Sequence, residues 1–233
     1  MKYGHMIQAT FIERPNRFIA YCDVNGEREK VHVKNTGRCK ELLTEHATVY
    51  LEESDNPSRK TKYSLIAVQK GDLLINMDSQ APNEVVEEGL KLGTIWLPGV
   101  NMPLTKIQRE VTYGESRFDF YLETEQDKIF IEVKGGTLEE EGVIRFPDAP
   151  TTRGVKHLNE LMAAQEAGYK CYVIFVVQME RAKYFTLHEQ RHPAFATALR
   201  QAVAKGVGVL AYTCKVTADE LIIDKKLPVK LID

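Results

Sequence analysis

Arg117-Phe118-Asp119-Phe120-Tyr121-Leu122, followed after the short polar link Thr124-Glu125-Gln126-Asp127 by Ile129-Phe130-Ile131-Glu132-Val133-Lys134, is the stretch that decides the fold. Apolar residues alternate around Asp119 and run onto both faces of the first segment. The second is strongly apolar and ends in two charged residues. Side chains two apart on a strand share a face, so Glu132 and Lys134 point the same way. The link is short enough for an antiparallel hairpin, Arg117 to Glu123 against Lys128 to Lys134, and a hairpin brings Asp119 beside the other two. Burying carboxylates is costly unless they are paired or hold a metal. Two that converge repel each other, and a divalent cation such as Mg²⁺ or Mn²⁺ relieves this while keeping several waters. Such an ion polarises a phosphodiester and acidifies bound water. Lys134 then orients or deprotonates the attacking water, or stabilises developing charge. The same spacing also describes an ordinary cross-face ion pair, with Asp119 against Lys134 or Arg117. Spacing alone does not choose between the two readings.

Working outward, Pro82 and Asn83 suit a helix start, Glu84, Glu87 and Glu88 load its first turns, and Gly93 suits its stop. Glu88 is the helix carboxylate expected to join Asp119 and Glu132 as a metal ligand and catalytic residue. Its rivals are Glu84 and Glu87, and its alternative is a solvated carboxylate. Beyond the hairpin, Thr137 to Pro150 reads as a loop with two prolines. Thr151 or Thr152 then caps a helix running to about Ala167, stopped by Gly168. Arg153, Lys156 and His157 share one basic face of that helix and are expected to contact phosphates near the site, or to form a solvated surface. Asp148, just before them, supports the site at its rim or caps the helix. Gly135-Gly136 lets a substrate backbone approach closely. Tyr169 to Val177 is a continuous apolar run, which predicts a buried central strand. Pro193 to Ala204 predicts a further helix and Val207 to Thr213 a further strand, so this part is α/β with a mixed sheet. Helix, acidic strand, ExK strand, then a helix with a basic face is the core order of the restriction-endonuclease-like fold.

The first eighty residues read differently. Short strands are predicted at Met6 to Ile12, Arg17 to Val24, Glu29 to Val33, Thr48 to Glu52, Tyr63 to Gln69 and Leu73 to Met77. Asn25-Gly26 is a strong hairpin signal. One short helix is expected from Gly37 to Leu43. This pattern matches a small Greek-key barrel of the OB type, with a plain β-sandwich piece as the alternative. Such barrels hold nucleic acid in basic grooves with stacking rings. Arg17, Arg38, Lys60 and Lys62 are the candidate charges, and Phe18 and Tyr63 the candidate rings; the basic residues are otherwise ordinary surface. The alternative for Phe18 is a place in the core.

The bulk numbers bound these readings. The chain has 233 residues, 43% of them hydrophobic, enough for one good core or two small ones. No apolar run approaches the roughly 18 residues of a membrane span, and no secretory signal pattern stands at the start, so a cytoplasmic protein without membrane contact is expected. The four cysteines show no zinc-site spacing and read as buried, reduced thiols. The histidines at 5, 32, 46, 188 and 192 show no ligand spacing. A formal net charge of −2 lends nucleic-acid binding no support, since proteins that coat phosphates are usually basic.

Further motifs span nearly the whole chain: Asn35-Thr36-Gly37-Arg38, Ser116-Arg117-Phe118-Asp119-Phe120, Glu132-Val133-Lys134, Phe146-Pro147-Asp148-Ala149-Pro150-Thr151, Arg153-Gly154, Lys156-His157-Leu158, Glu160-Leu161 and Ala211-Tyr212-Thr213-Cys214. On these the sequence resembles the sugar fermentation stimulation protein A family of bacteria and archaea. The resemblance implies an OB-like domain over 1–80 and a restriction-endonuclease-like (PD-(D/E)xK) domain over 81–233. It also implies DNA binding and a role in regulating sugar metabolism genes, especially for maltose. Carried over by position, Glu88, Asp119 and Glu132 with Lys134 would form the acidic site. Phe118 stands where the wider nuclease pattern has proline. Three functions remain open: a Mg²⁺- or Mn²⁺-dependent nuclease on single-stranded or duplex DNA, a non-catalytic DNA-binding regulator with a vestigial site, and an RNA-processing factor. A homodimer is compatible with each.

Overall fold

The computed structural model describes residues 1–35 and 37–231; Thr36, in the Asn35-Thr36-Gly37-Arg38 motif, lies outside the described residues. The N-terminal part is a closed barrel of β1 (Met6–Asn16), β2 (Ile19–Val24), β3 (Glu27–Val33), β4 (Thr48–Glu53) and β5 (Tyr63–Lys70). The order β3-β2-β1-β4-β5 is antiparallel throughout, and a parallel pairing of β3 with β5 closes it. This is the OB-like arrangement. Asn25 and Gly26 both adopt left-handed backbone (φ 55° and 87°), as the two-residue turn between β2 and β3 requires. Alternate residues of β2 (Ala20, Cys22, Val24) fill the barrel with Val31, Val33, Val49, Leu51 and Leu65. A further strand, β6 (Leu73–Asn76), extends the sheet from β5.

The helix expected at Gly37 to Leu43 does not form. The segment makes one turn, with the Leu42 and Leu43 amides on the Cys39 carbonyl. Cys39 itself has φ 47°, outside the right-handed helical region. The Gly37 and Arg38 carbonyls are held by the Arg14 guanidinium instead, and one turn gives too few bonds to propagate a helix.

The rest of the chain builds a six-stranded sheet in the order β15 (Leu221–Leu227), β14 (Gly208–Val216), β12 (Lys170–Val177), β9 (Lys128–Gly136), β8 (Ser116–Glu123), β7 (Lys106–Tyr113). β9, β12 and β14 run parallel, and the flanking strands antiparallel. The helix α1 (Ala81–Lys91) covers one face; α2 (Thr152–Glu166) and α3 (Pro193–Ala204) cover the other. The apolar run of β12 is explained by this sandwich. Cys171, Val173, Phe175 and Val177 pack toward α2 and α3, while Tyr172, Ile174 and Val176 pack toward α1.

Two parts of this architecture depart from the expected elements. The stretch 137–150 contains β10 (Glu139–Glu140) and β11 (Val143–Phe146), which join β13 (Tyr184–Leu187) and β16 (Val229–Lys230) in a separate four-stranded sheet. These strands of two to four residues exist through their partners, so no local periodicity marks them. The edge strand β7 carries Lys106, Gln108, Arg109 and Glu110, a run too polar to mark it as a strand. Among the described residues no helix is long and apolar enough to cross a membrane. All four cysteines are free and buried.

Candidate active site

The hairpin β8–β9 forms as expected, but its two strands pair only from Glu123–Lys128 to Phe120–Ile131. Beyond that register they separate. The separation has a visible cause in the packing: Phe118 faces the α2 side and Phe120 the α1 side, although they stand two apart. The chain therefore turns over at Asp119. With no backbone partner from β8 at that level, the Val133 amide donates to Asp119 Oδ2 at 2.7 Å. Asn83, in the first turn of α1, donates to Asp119 Oδ1 at 2.9 Å. Burial, and then the charge of Glu132, push the Asp119 carboxyl above its ordinary range despite these two donors.

Glu132 is 2% exposed. It lies on the α2 side of β9, on the same face as Phe130 and Lys134. Its Oε1 accepts from Lys134 Nζ and from His157 Nδ1. Its Oε2 is buried and has no hydrogen-bond partner. Burial raises the Glu132 pKa, but the hydrogen bonds from His157 and Lys134 outweigh it, and the net shift is downward. On the far side of the ring, Arg153 Nε donates to His157 Nε2 at 3.3 Å. An accepting Nε2 leaves the proton on Nδ1, which suits a neutral imidazole that donates to the Glu132 carboxylate. The side chain of Thr151 accepts from the Gly154 amide at 3.0 Å and caps α2, which fixes the helix that carries Arg153 and His157.

Asp119, Glu132 and Lys134 thus converge. Glu88 does not join them. It sits about 140° around α1 from Asn83, since successive helical residues turn by about 100°. Its carboxylate meets the Met1 amino group at 2.6 Å and is half exposed. Glu87 bonds Lys91 and Arg109 instead. The helix residue that reaches Asp119 is Asn83, a polar residue that at a helix start reads as a capping group. His157 is also placed differently from the expected phosphate rim. It is 6% exposed and turned inward, because its spacing to Leu158 and Leu161 sets it on the buried stripe of α2. Arg153 is exposed, and Lys156 is exposed and bonded to Glu115.

Of the barrel candidates, Arg17 and Arg38 line an open groove of about 1060 Å³ between the barrel and the α/β domain. Lys60 is exposed elsewhere, on the β4–β5 loop. Lys62 bridges to Glu53 at 3.0 Å and covers the ring of Tyr63. Tyr63 is 5% exposed, part of the core rather than a stacking platform. Phe18, read either as a stacking ring or as core, is 52% exposed and so not core, with Arg17 above its ring. A short β1–β2 turn leaves it no interior to enter. Asp148 packs against Gly37 at the groove and caps no helix, that place being taken by Thr151.

An OB-like barrel followed by an α/β domain, with an acidic pair and a lysine where two strands part, defines the class: a barrel joined to a restriction-endonuclease-type core. Comparison with known proteins identifies the family. Residues 80–220 match the family model described as the sugar fermentation stimulation protein RE domain, and residues 12–77 match the SfsA N-terminal OB domain. Proteins named sugar fermentation stimulation protein homolog, from Desulfitobacterium hafniense DCB-2 and Ruminiclostridium cellulolyticum, are 52% and 50% identical. The first match covers all of both chains; the second covers 99% of this chain and all of the relative. The chain belongs to the sugar fermentation stimulation protein family. The solved structure of SfsA from Pyrococcus furiosus in complex with Ca²⁺ matches with a TM-score of 0.88 at 24% identity, over 99% of this chain and 98% of the other. That likeness bears on the fold.

Proposed function

We propose that this protein binds DNA and hydrolyses phosphodiesters at the Asp119–Glu132–Lys134 cluster with a divalent cation, Mg²⁺ or Mn²⁺. The observation that carries this reading is the Glu132 Oε2 atom, buried beside a second carboxylate and without a hydrogen-bond partner. A buried carboxylate oxygen left unsatisfied is costly, and a cation is the natural partner for it. The donor set fits: Mg²⁺ takes one or two protein carboxylates and keeps waters for its other positions. Asp119 and Glu132 would hold it. When bound, such an ion acidifies water and offsets the charge of a phosphodiester. The Pyrococcus furiosus SfsA structure is a complex with Ca²⁺, so a protein of this fold takes up a divalent cation.

The protein's own groups divide the remaining work. His157 holds Glu132 Oε1, which keeps Oε2 as the free donor atom. Asn83 and the Val133 amide fix the rotation of the Asp119 carboxylate. Lys134, bonded to Glu132 Oε1 with its side chain a fifth exposed, is the cation placed to reach a phosphate oxygen or the attacking water. Purified protein incubated with Mg²⁺ or Mn²⁺ should cut labelled single-stranded or duplex DNA, and Asp119→Ala should not. Absence of cleavage by the wild type with either metal overturns the reading.

One observation favours a second reading, a non-catalytic DNA-binding regulator. Lys134 and His157 already satisfy Glu132 Oε1 from within the chain, as a structural ion pair would. That reading requires salt-sensitive DNA binding without cleavage.

A further inference from the structure

We infer that the groove between the barrel and the α/β domain is a binding track for single-stranded nucleic acid that leads to the end of the ExK strand. The inference rests on the phosphodiesterase reading for its direction, but not for its binding chemistry. Five cations and two carboxylates line the groove, in a chain whose overall charge is −2. Among the described residues, Arg17, Arg38, Lys40 and Arg191 engage in no ion pair, whereas cations elsewhere repeatedly do, as at Lys34–Asp78, Lys62–Glu53 and Lys170–Asp127. A set of unpaired cations in one concavity lacks a polyanion and attracts one.

The groove walls are built for this. Arg14 spends its guanidinium on four backbone carbonyls, those of Arg17, Asn35, Gly37 and Arg38, at 2.6–2.8 Å. It therefore pins the two loops that present Arg17 and Arg38 and leaves those side chains to solvent. Phe18 adjoins Arg17 with half its surface exposed, a ring that no packing requirement of the barrel explains. An exposed ring at the groove's edge, beside the unpaired Arg17, is the combination that stacks an unpaired base while the cations of the groove hold its phosphates. A duplex keeps its bases stacked on each other and offers that ring nothing, which selects a single strand.

Direction comes from continuity. Gly37, Leu138 and Asp148 line both this groove and a smaller polar cleft whose other wall is Gly135 and Gly136, the residues that follow Lys134. The two depressions meet at those residues. A strand lying along the basic groove runs toward the carboxyl ends of the parallel strands β9 and β12, where open α/β sheets bind ligands.

The test is fluorescence anisotropy in EDTA, which separates binding from any metal-dependent cutting. Labelled oligo(dT), oligo(rU) and a blunt DNA duplex are titrated with wild type, Phe18→Ala and the double variant Arg38→Glu/Lys40→Glu. Each variant is first checked for an unchanged circular dichroism spectrum. Oligo(dT) should bind more tightly than the duplex. Phe18→Ala and the charge reversal should each weaken it by roughly tenfold or more, the range of a lost base stack or several phosphate contacts. Equal tightness of oligo(rU) supports the track, since the chemistry is shared. Unchanged affinity in the groove variants, or a duplex that binds as tightly as oligo(dT), overturns it. Binding without cleavage leaves the track standing and removes the phosphodiesterase reading. Cleavage unaffected by the groove variants does the reverse.

Discussion

The Asp119 carboxylate accepts the Val133 amide where the ladder between their two strands has ended. A side chain replaces a backbone carbonyl at the point of divergence, and the replacement carries a charge. The fold thereby holds an acid in a place where its burial works against its ionisation.

Replacing that acid should therefore stabilise the protein. A carboxyl whose pKa is raised by folding favours the fold below its unfolded pKa, and loses that contribution as pH rises through the folded value. At neutral pH its ionisation is a net cost. Asn at position 119 can still accept from Val133, and can donate to Asn83 once that amide turns over. Asp119→Asn should melt higher at neutral pH by about 2–4 °C, the shift that ~1 kcal/mol gives in a chain of this size. The gain should shrink as pH is lowered into the carboxylate range. Differential scanning calorimetry across pH checks both parts, and a variant that melts lower at neutral pH would contradict the account.

Glu132 should show the opposite slope. Its pKa is lowered on balance, so its contribution is present above the ordinary carboxylate range and disappears as pH falls through the folded value. Urea titrations of wild type should lose stability on acidification more steeply than those of Glu132→Gln, which keeps the bonds to Lys134 and His157 without the charge. Glu132→Ala should cost about 3 kcal/mol, the low end for a broken buried pair. Lys134 can turn to water and recover part of the loss.

Divalent cations should raise the melting temperature of the wild type and leave Asp119→Asn and Glu132→Gln where they were. A ligand at one hundred times its Kd adds about 2.7 kcal/mol to a fold that alone binds it. Thermal shift with Mg²⁺, Mn²⁺ and Ca²⁺ reads this without any assay of cleavage. Equal shifts in all three proteins would place the ion elsewhere.

Arg14→Lys should destabilise the barrel by about 2–4 kcal/mol. A lysine ammonium cannot span four carbonyls held by a planar fork, and carbonyls bonded to a charged donor contribute more than neutral pairs. Burial holds the Arg14 pKa below its usual value, which fits a guanidinium taken out of water. Denaturant unfolding of the variant measures the cost.

The four thiols should be unreactive in the native protein. Burial pushes Cys22, Cys39 and Cys171 up to about 12, and Cys214 higher still. Thiolate is the reactive form, and it is scarce at such values. Ellman's reagent should report negligible thiol before denaturation and four thiols after it. Rapid native reaction of any one would show that its surroundings open.

What the sequence determined by itself lies in local, periodic signals. Alternation and the Asn25-Gly26 turn mark the barrel strands, because a two-residue turn with both residues left-handed admits few other residues. The unbroken run of β12 announces a strand buried on both faces, and the ExK spacing puts Glu132 and Lys134 on one side of β9. Tertiary structure alone decided the rest. Glu88 and Asn83 are equally plausible on the helix by composition, and only the rotation of α1 on the sheet chooses Asn83 for Asp119. His157 looks like part of a basic rim until the packing of α2 against β9 turns it onto Glu132. The short strands β10, β11 and β16 have no signal of their own, since partners distant in the chain stabilise them. The groove is lined by loops from two parts of the chain: the barrel brings Arg17, Arg38 and Lys40 together, and Arg191 joins them only from the α/β domain. Local hydrogen bonding and side-chain periodicity are written along a chain, whereas convergence is set by the long-range packing that no local window contains.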